Sequence, residues 1–375
     1  MNALINPYGN VDWSNSQKIL SFSHAHARVK NNDGTKGTVY QRYLDNAVEG
    51  GARHIAFSNY YPSEPFYPLS DWFETVPSGI LGSPNAEHHN FTDGWGALHM
   101  NGVGCTAITG QAGGLAPAGA NMTAKGAIKY ILNTLQYADG GGVTVNHPGW
   151  SVMQNEVNGY PKWTRSNAAE RVLELLNIDD RVIGMEIRNS SSYPFIGAGD
   201  DSEDNANVNS VGIWDEILLT GKRCWGFCVP DHETEWGSKW TGRNVLLVND
   251  FTEHECLKAY RNGNFYSKVF DSDLAFANIS FDGTTFSVSA PLADYIQIVI
   301  DGVYEQFSGG TASKTIPSNA VYVRAEAWMA YTWTDKNGNS HNVTEKIYSN
   351  PIMFKRYVPK KGNNNISQKF ITWFD

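Results

Sequence analysis

Residues 123–148, TAKGAIKYILNTLQYADGGGVTVNHP, decide how the chain is read. Thr123 to Tyr137 reads as a helix, Gly140-Gly141-Gly142 stops it, and Val143-Thr144-Val145 is a short strand that delivers Asn146-His147-Pro148. Helix, stop, strand and a chemically loaded turn is the grammar of a parallel α/β fold. The same order extends in both directions. Upstream, Ile19-Leu20-Ser21-Phe22 is a strand ending at His24-Ala25-His26. Val39 to Val48 then has helical spacing, stops at Gly50-Gly51, and leads into strand His54-Ile55-Ala56-Phe57 and Ser58-Asn59. Downstream, Asn167 and Glu170 form an N-cap pair for a helix through Leu176, and Val182 to Ile187 is a strand ending at Arg188-Asn189. A helix from Val211 to Leu219, ended by Gly221, precedes strand Cys224 to Val229 and Asp231-His232. Every polar cluster falls just past the C-terminal end of a strand, the end where parallel barrels and open sheets assemble their sites.

From about Asp271 the pattern changes to short alternating strands without helices: Ala277 to Phe281, Thr285 to Ala290, Tyr295 to Ile300 and Val321 to Trp328. Asp282-Gly283 and Asp301-Gly302 at their tips are hairpin signals, and Asp335 to Gly338 is a further turn. The expected organisation is an α/β domain over residues 1–271, a small all-β immunoglobulin-like sandwich over 272–358, and a polar tail over 359–375.

The bulk numbers exclude several classes. Lys and Arg total 29 against 38 Asp and Glu, a net charge of −9, with no basic run to match a phosphate backbone, so no duplex nucleic acid is expected as a partner. No apolar stretch approaches the roughly 18 to 20 residues that span a bilayer, and the opening MNALINPYGNVDW lacks a basic segment followed by an apolar one. No membrane contact and a cytoplasmic location are the expectation. Four cysteines are too scattered for a disulfide scaffold; Cys224 and Cys228, in one strand, would stand about 13 Å apart, beyond bridging distance.

Chemistry concentrates on histidine. Only ten occur, and His24, His26, His147 and His232 stand at strand ends or beside acidic residues, where neutral imidazole suits Zn²⁺, Mn²⁺ or Fe²⁺. Ser23-His24-Ala25-His26, the segment Gly51 to Tyr60, Glu87 with the later Ala97-Leu98-His99-Met100, and Asn146-His147-Pro148 form one joint pattern. Gly184-Met185-Glu186-Ile187-Arg188-Asn189 and Trp225 to Asp231 complete it. Over about residues 17 to 270 this pattern resembles the PHP family, the polymerase and histidinol phosphatase superfamily of metal-dependent phosphoesterases. Tyr348-Ser349-Asn350-Pro351-Ile352 also looks like the end of the small β domain some members carry.

The resemblance implies a distorted seven-repeat β/α barrel ahead of the sandwich, and two divalent transition-metal ions, Zn, Mn or Fe. His24, His26, Glu87 and Asp231 would hold the first ion and Glu87, His99 and His147 the second, with Glu87 bridging. Members with a third ion use positions that here read Asn32 or Asp33, Tyr60 and Glu233, and the joint loss of two histidines there points to a two-metal site. Pro230-Asp231-His232 can be aligned with either Asp231 or His232 as the closing ligand. The expected activity is hydrolysis of a small phosphate mono- or diester by a metal-activated bridging water, with His232 as acid for the leaving oxygen and Arg28 and Arg188 as phosphate clamps. The alternatives are amidohydrolase-like attack on a carbonyl, or a binding or structural module derived from the family. His88 and His89 are further candidates for ligand or substrate contact. His54 and His254 read as structural, and Glu186, a carboxylate in an apolar strand, needs a partner, either a metal-bound histidine or an inert hydrogen bond.

Overall fold

The structure, a computed structural model, describes residues 2–27, 39–59, 64–89, 91, 98–109, 122–153, 163–189, 210–232, 242–334 and 338–357. In chain order the first half contains β1 (Gln17–Ala25), α1 (Arg42–Glu49), β2 (His54–Phe57), α2 (Leu69–Trp72), β3 (Leu81–Gly82), β4 (Glu87–His88) and β5 (Met100–Val103). There follow α3 (Ala124–Leu132), β6 (Gly142–Val145), α4 (Pro148–Met153), α5 (Ala168–Leu176), β7 (Val182–Asn189), α6 (Val211–Leu218) and β8 (Trp225–Val229). The strand β9 (Arg243–Val248), α7 (Glu253–Asn262) and β10 (Phe265–Lys268) lead into an all-strand region. That region contains β11 (Asn278–Phe281), β12 (Thr285–Ser289), β13 (Tyr295–Ile300), β14 (Val303–Ser308), β15 (Thr311–Thr315), β16 (Tyr322–Thr334), β17 (Ser340–Ser349) and β18 (Ile352–Met353).

The strands form mixed sheets, and the expected seven-repeat β/α barrel followed by a separate sandwich is not what they build. One ten-stranded sheet runs β14-β13-β16-β17-β10-β9-β1-β2-β3, with β18 against β16; a five-stranded sheet runs β4-β5-β6-β7-β8; and β11-β12-β15 form a third. Only part of the pairing is parallel. In the larger sheet β1, β2 and β3 are parallel, but β9 pairs antiparallel with both β1 and β10. In the smaller sheet β6, β7 and β8 are parallel, but β4, β5 and β6 alternate. The sheet also crosses the expected boundary near residue 272, since β10 pairs with β17 from Tyr266↔Ser349 to Lys268↔Ile347. The local grammar of strand and helix was legible, but the partner of each strand depends on long-range contacts that such spacing does not encode.

The two larger sheets face each other across Ile19, Ala56, Val103, Ile183, Phe227 and Leu246, each at most 1% exposed, and α7 packs into the same cluster through Leu257 and Tyr260. Helices α3, α5 and α6 bury Ile131, Leu173 and Trp214 in one cluster with Val143 and Met185 of the five-stranded sheet. Each such side chain contributes about 1.5–3 kcal/mol by leaving water. Thr123, read as the first helical residue, is the N-cap of α3, its hydroxyl accepting from Gly126 N–H at 3.0 Å, and the helix stops at Leu132, short of the expected Tyr137. At Asp301-Gly302 both residues take positive φ, 52° and 77°, the left-handed pair that a two-residue hairpin needs between β13 and β14.

At one end the two sheets are stitched by isolated parallel bridges, Ala25↔Asp231 and Asn59↔Ala86. That is the end at which His24, His26, Glu87 and Asp231 lie.

Candidate metal centre

Backbone pairing at the stitched end places the polar side chains. Asp231 donates its N–H to His24 O at 3.0 Å and accepts from His26 N–H at 3.1 Å, which seats it between the two histidines. Glu87 opens β4 and is tied by its N–H to Asn59 O at 3.2 Å, while Asn146 N–H reaches His99 O at 3.0 Å and so brings His147 beside His99. His147 and Asp231 take φ of 28° and 52°. Non-glycine residues there cost on the order of 1–3 kcal/mol and persist where surrounding structure holds them. Here the bonds just named do so.

Two donor sets result, His24 with His26 and Asp231, and Glu87 with His99 and His147. In the first, Asp231 Oδ1 lies 3.2 Å from His24 Nε2 and 2.9 Å from His26 Nε2, and the two Nε2 atoms are 3.1 Å apart. Glu87 Oε2 stands 3.6 Å and 3.2 Å from the same two nitrogens. Its other oxygen, Oε1, lies 3.0 Å from His99 Nδ1 and 3.4 Å from His147 Nε2. The carboxylate of Glu87 therefore belongs to both sets.

The donor chemistry fits a divalent cation. Ligands about 2.0–2.1 Å from a tetrahedral ion stand roughly 3.3 Å from one another, which is the spacing found in the first set. His24 Nδ1 is committed to Glu186 Oε1 at 2.6 Å, so Nε2 offers its lone pair to the cluster. Two imidazole nitrogens at 3.1 Å between two carboxylate oxygens repel unless protons or a cation lie among them. In the chain alone protons take that role. Burial opposes charge on His26, but the hydrogen bonds it donates to Asp231 and Glu87 outweigh it and raise the imidazole to about 9. His24 is likewise held well above the usual histidine value, burial being outweighed by Asp231, Glu186 and Glu87. The carboxyls of Glu87 and Asp231, which burial alone would raise, are pulled well below the usual range, chiefly by His24. A cation bound there would replace those protons, so its uptake would release them and weaken as pH falls.

A second layer holds the first. Glu186 accepts from His24 through Oε1 and, through Oε2, from His147 N–H and Asn189 Nδ2, both at 2.8 Å. Asn189 also donates to Asp231 Oδ2 at 2.9 Å, and Asn146 donates to Glu87 Oε1 at 2.9 Å. Glu186 thus has the histidine partner that its apolar strand demanded. In the sequence Asn146 and Asn189 carry one signal, a place at the end of a strand beside the clustered polar residues. Removing a partner of this kind costs 10–100-fold in metal affinity. Glu186→Gln is therefore expected to weaken metal retention by about that factor while leaving the circular dichroism unchanged. A titration with unaltered affinity would deny Glu186 this role.

Exposure locates the mouth. The side chains of His24, His26, Glu87, Asp231 and His147 are at most 6% exposed, whereas His99 and His232 are each 22% exposed. The ring of His232 stacks on His26, with centroids 4.0 Å apart, and its Nε2 lies 3.7 Å from Asp231 Oδ1. At the ambiguous closing position it is Asp231 whose oxygen meets both His24 and His26.

The remaining candidates divide. Arg188 is buried and donates from Nε to the Tyr348 hydroxyl at 3.2 Å, which commits that edge of the guanidinium to β17. His88 faces away from Glu87, bonding Thr109 Oγ1 at 2.6 Å through Nδ1, and burial holds it neutral, down to about 3. The His89 ring lies 5.3 Å from that of His99. His54 is buried between Ser21 and Ser83, and His254 bonds Asp139. Arg28, Asn32, Asp33, Tyr60 and Glu233 lie outside the described residues. All four cysteines are free and buried. No described helix is long and apolar enough to cross a membrane.

No known protein family matches the chain, and no curated protein does. Among solved structures, one similar chain is a two-domain protein from Bacteroides vulgatus containing a predicted PHP-like metal-dependent phosphoesterase. It is 13% identical, with 92% of this chain and 98% of that chain covered and a TM-score of 0.40. At that level of likeness the functional reading rests on the side chains themselves.

Proposed function

We propose that the chain is a metal-dependent hydrolase of phosphate esters whose centre takes two divalent transition-metal ions. The division of the Glu87 carboxylate carries this reading. Its Oε2 lies with His24 and His26, and its Oε1 with His99 and His147, the arrangement of a carboxylate shared between two cations. His24, His26, Asp231 and Glu87 would hold one ion, and Glu87, His99 and His147 the other.

Divalent ions in such a centre supply Lewis acidity, which makes water a nucleophile near neutral pH and offsets charge on a phosphoryl group. The chain's own residues do the rest. Glu186 and Asn189 hold His24 and Asp231 in register, so the donors need no rearrangement when loaded. The first set is buried, and among the described side chains of the cluster His99 and His232 are the ones that reach solvent. His232, on that rim and stacked over His26, is placed to give a proton to a leaving oxygen. The donor atoms serve a phosphorus or a carbonyl centre equally. The preference for a small phosphorylated substrate comes from the resemblance of the His24-Ala25-His26, Asn146-His147-Pro148 and Gly184–Asn189 segments to PHP motifs.

Protein purified without chelator is expected to carry close to two equivalents of zinc, manganese or iron, about the stoichiometry of a binuclear hydrolase. It should hydrolyse p-nitrophenyl phosphate or its bis diester and leave p-nitroanilides intact. Loaded protein inert to both esters removes the phosphoesterase reading. Anilide cleavage alone moves it to an amidohydrolase, and a metal-free preparation that takes up no ion on titration removes the centre itself.

A further inference from the structure

The end of the larger sheet opposite the metal cluster carries a second concave site. Leu247 of β9 pairs with Lys18 near the start of β1, whereas His24 lies near the end of that strand, so about 20 Å of strand separates the two places. There the N-terminal turn, with Asn6 and Asn10, faces α7 and the loop after β9 across a cleft of about 450 Å³. From α7 the wall takes Glu255, Lys258, Ala259 and Asn262, the i, i+3, i+4, i+7 stripe of a single helix face. A polar stripe of this kind ordinarily meets bulk water. Here a wall stands over it, and the wall is anchored. The Tyr8 hydroxyl donates to Phe265 O at 2.9 Å and accepts from Asn350 N–H at 2.7 Å, while the Asn264 amide donates to Pro7 O. The turn can neither swing away nor close onto the helix without breaking these bonds.

The lining selects the class of ligand. Five asparagines, at 6, 10, 249, 262 and 264, bring amide side chains and Ser16 adds a hydroxyl, beside apolar surface from Pro7, Val11, Leu247 and Ala259. An amide carries no charge and has donors and an acceptor; Asn6 Oδ1 already accepts from Tyr8 N–H and Asn264 already donates to Pro7 O, so Asn10, Asn249 and Asn262 are the amides that offer both to a ligand. The charged pair, Glu255 and Lys258, is joined at 2.7 Å, so the cleft presents no spare charge for a phosphate or carboxylate. An apolar ligand would leave the amides desolvated and unpaired. A ring bearing several hydroxyls, each able to donate and accept, satisfies them. The volume falls within the roughly 300–1,000 Å³ of small-molecule sites and accommodates one or two sugar rings. We propose that this cleft binds a neutral mono- or disaccharide. The proposal is independent of the metal centre and stands whether or not that centre is catalytic.

The test uses the full chain labelled with ¹⁵N-asparagine, so that the lining amides report directly. Glucose, N-acetylglucosamine and maltose are titrated in turn, with glycerol and inorganic phosphate as controls. Saturable shifts of side-chain amide resonances are expected with at least one of the three sugars, at millimolar or lower concentration. The shifts should vanish in Asn249→Ala/Asn262→Ala, whose residues are both exposed and away from the core. Asn10→Ala, in an exposed turn position, is a second variant should the first fail to fold, and it should weaken the same shifts at least threefold. Absence of saturable shifts with all three sugars, an equal response to glycerol, tighter binding of phosphate, or shifts that survive both variants each overturn the proposal and return these asparagines to their turns and helix end.

Discussion

Glu87→Gln is expected to empty the centre and abolish hydrolysis. The substitution keeps the volume of the side chain but replaces one carboxylate oxygen by an NH₂ and removes the charge that both donor sets share. Whichever way the amide turns, one set meets a donor where it needs an acceptor. With His24 and His26 facing each other at 3.1 Å, loss of that charge also leaves Asp231 as the one carboxylate contacting both nitrogens. Metal content should fall from about two equivalents to well under one. Phosphate-ester hydrolysis at fixed metal concentration should drop by roughly 10²–10³-fold or more, the loss typical of removing a group that stabilises developing charge. Metal analysis and a nitrophenyl ester assay read both effects. A variant that kept its metal and most of its rate would remove Glu87 from the bridging position, and with it the binuclear proposal.

Arg324→Leu is expected to destabilise the fold by at least about 3–5 kcal/mol, the usual cost of breaking a buried ion pair, since it leaves both Asp215 and Glu326 without their cation. Arg324 on β16 is fully buried and grips Asp215 of α6 through two bonds of 2.8 Å, Nε to Oδ1 and Nη2 to Oδ2. Tyr304 and Tyr322 donate to the same carboxylate, and the guanidinium lies 4.9 Å from the Trp214 ring. Burial alone would raise the Asp215 carboxyl, but Arg324 outweighs it and holds it below its usual value. That pairing contributes fully above the unfolded carboxylate pKa near 4 and is lost as pH falls through the lower folded value. Chemical denaturation at pH 7 should show the deficit, and adding Asp215→Leu to Arg324→Leu should cost less than the sum of the two single changes. Metal content of the folded protein should not change. Additive losses would show that the pair is not coupled, and a loss below about 1 kcal/mol would class it with surface ion pairs.

The pair matters because it joins α6, packed on the five-stranded sheet, to a strand of the all-β region, a contact between residues 109 positions apart. Sequence reading separates those regions at residue 272 because helical spacing ceases there and alternation begins. Spacing is a local property. It locates β13 and the Asp301-Gly302 turn closely, since alternation and a left-handed turn are encoded in adjacent residues. It says nothing of β10 pairing with β17, or of β9 lying antiparallel between β1 and β10, so a chain read as seven repeats forms mixed sheets instead.

For the site, scarce imidazole and carboxylate groups at strand ends marked His24, His26, His147 and Asp231 as candidates for metal chemistry, and the resemblance to PHP motifs added Glu87 and His99. The sequence by itself also named Glu186 as needing a partner, since a carboxylate among apolar strand residues cannot be left unpaired. What the tertiary structure alone decided is direction. That Glu87 offers one oxygen to each set, that Asp231 and not His232 meets both His24 and His26, and that Arg188 leans on Tyr348 all depend on how strands far apart in sequence are stitched at one end. The bridges Ala25↔Asp231 and Asn59↔Ala86 set those angles, and a ligand spacing near 3 Å arises from them because distances between side chains are fixed by the backbone pairing beneath.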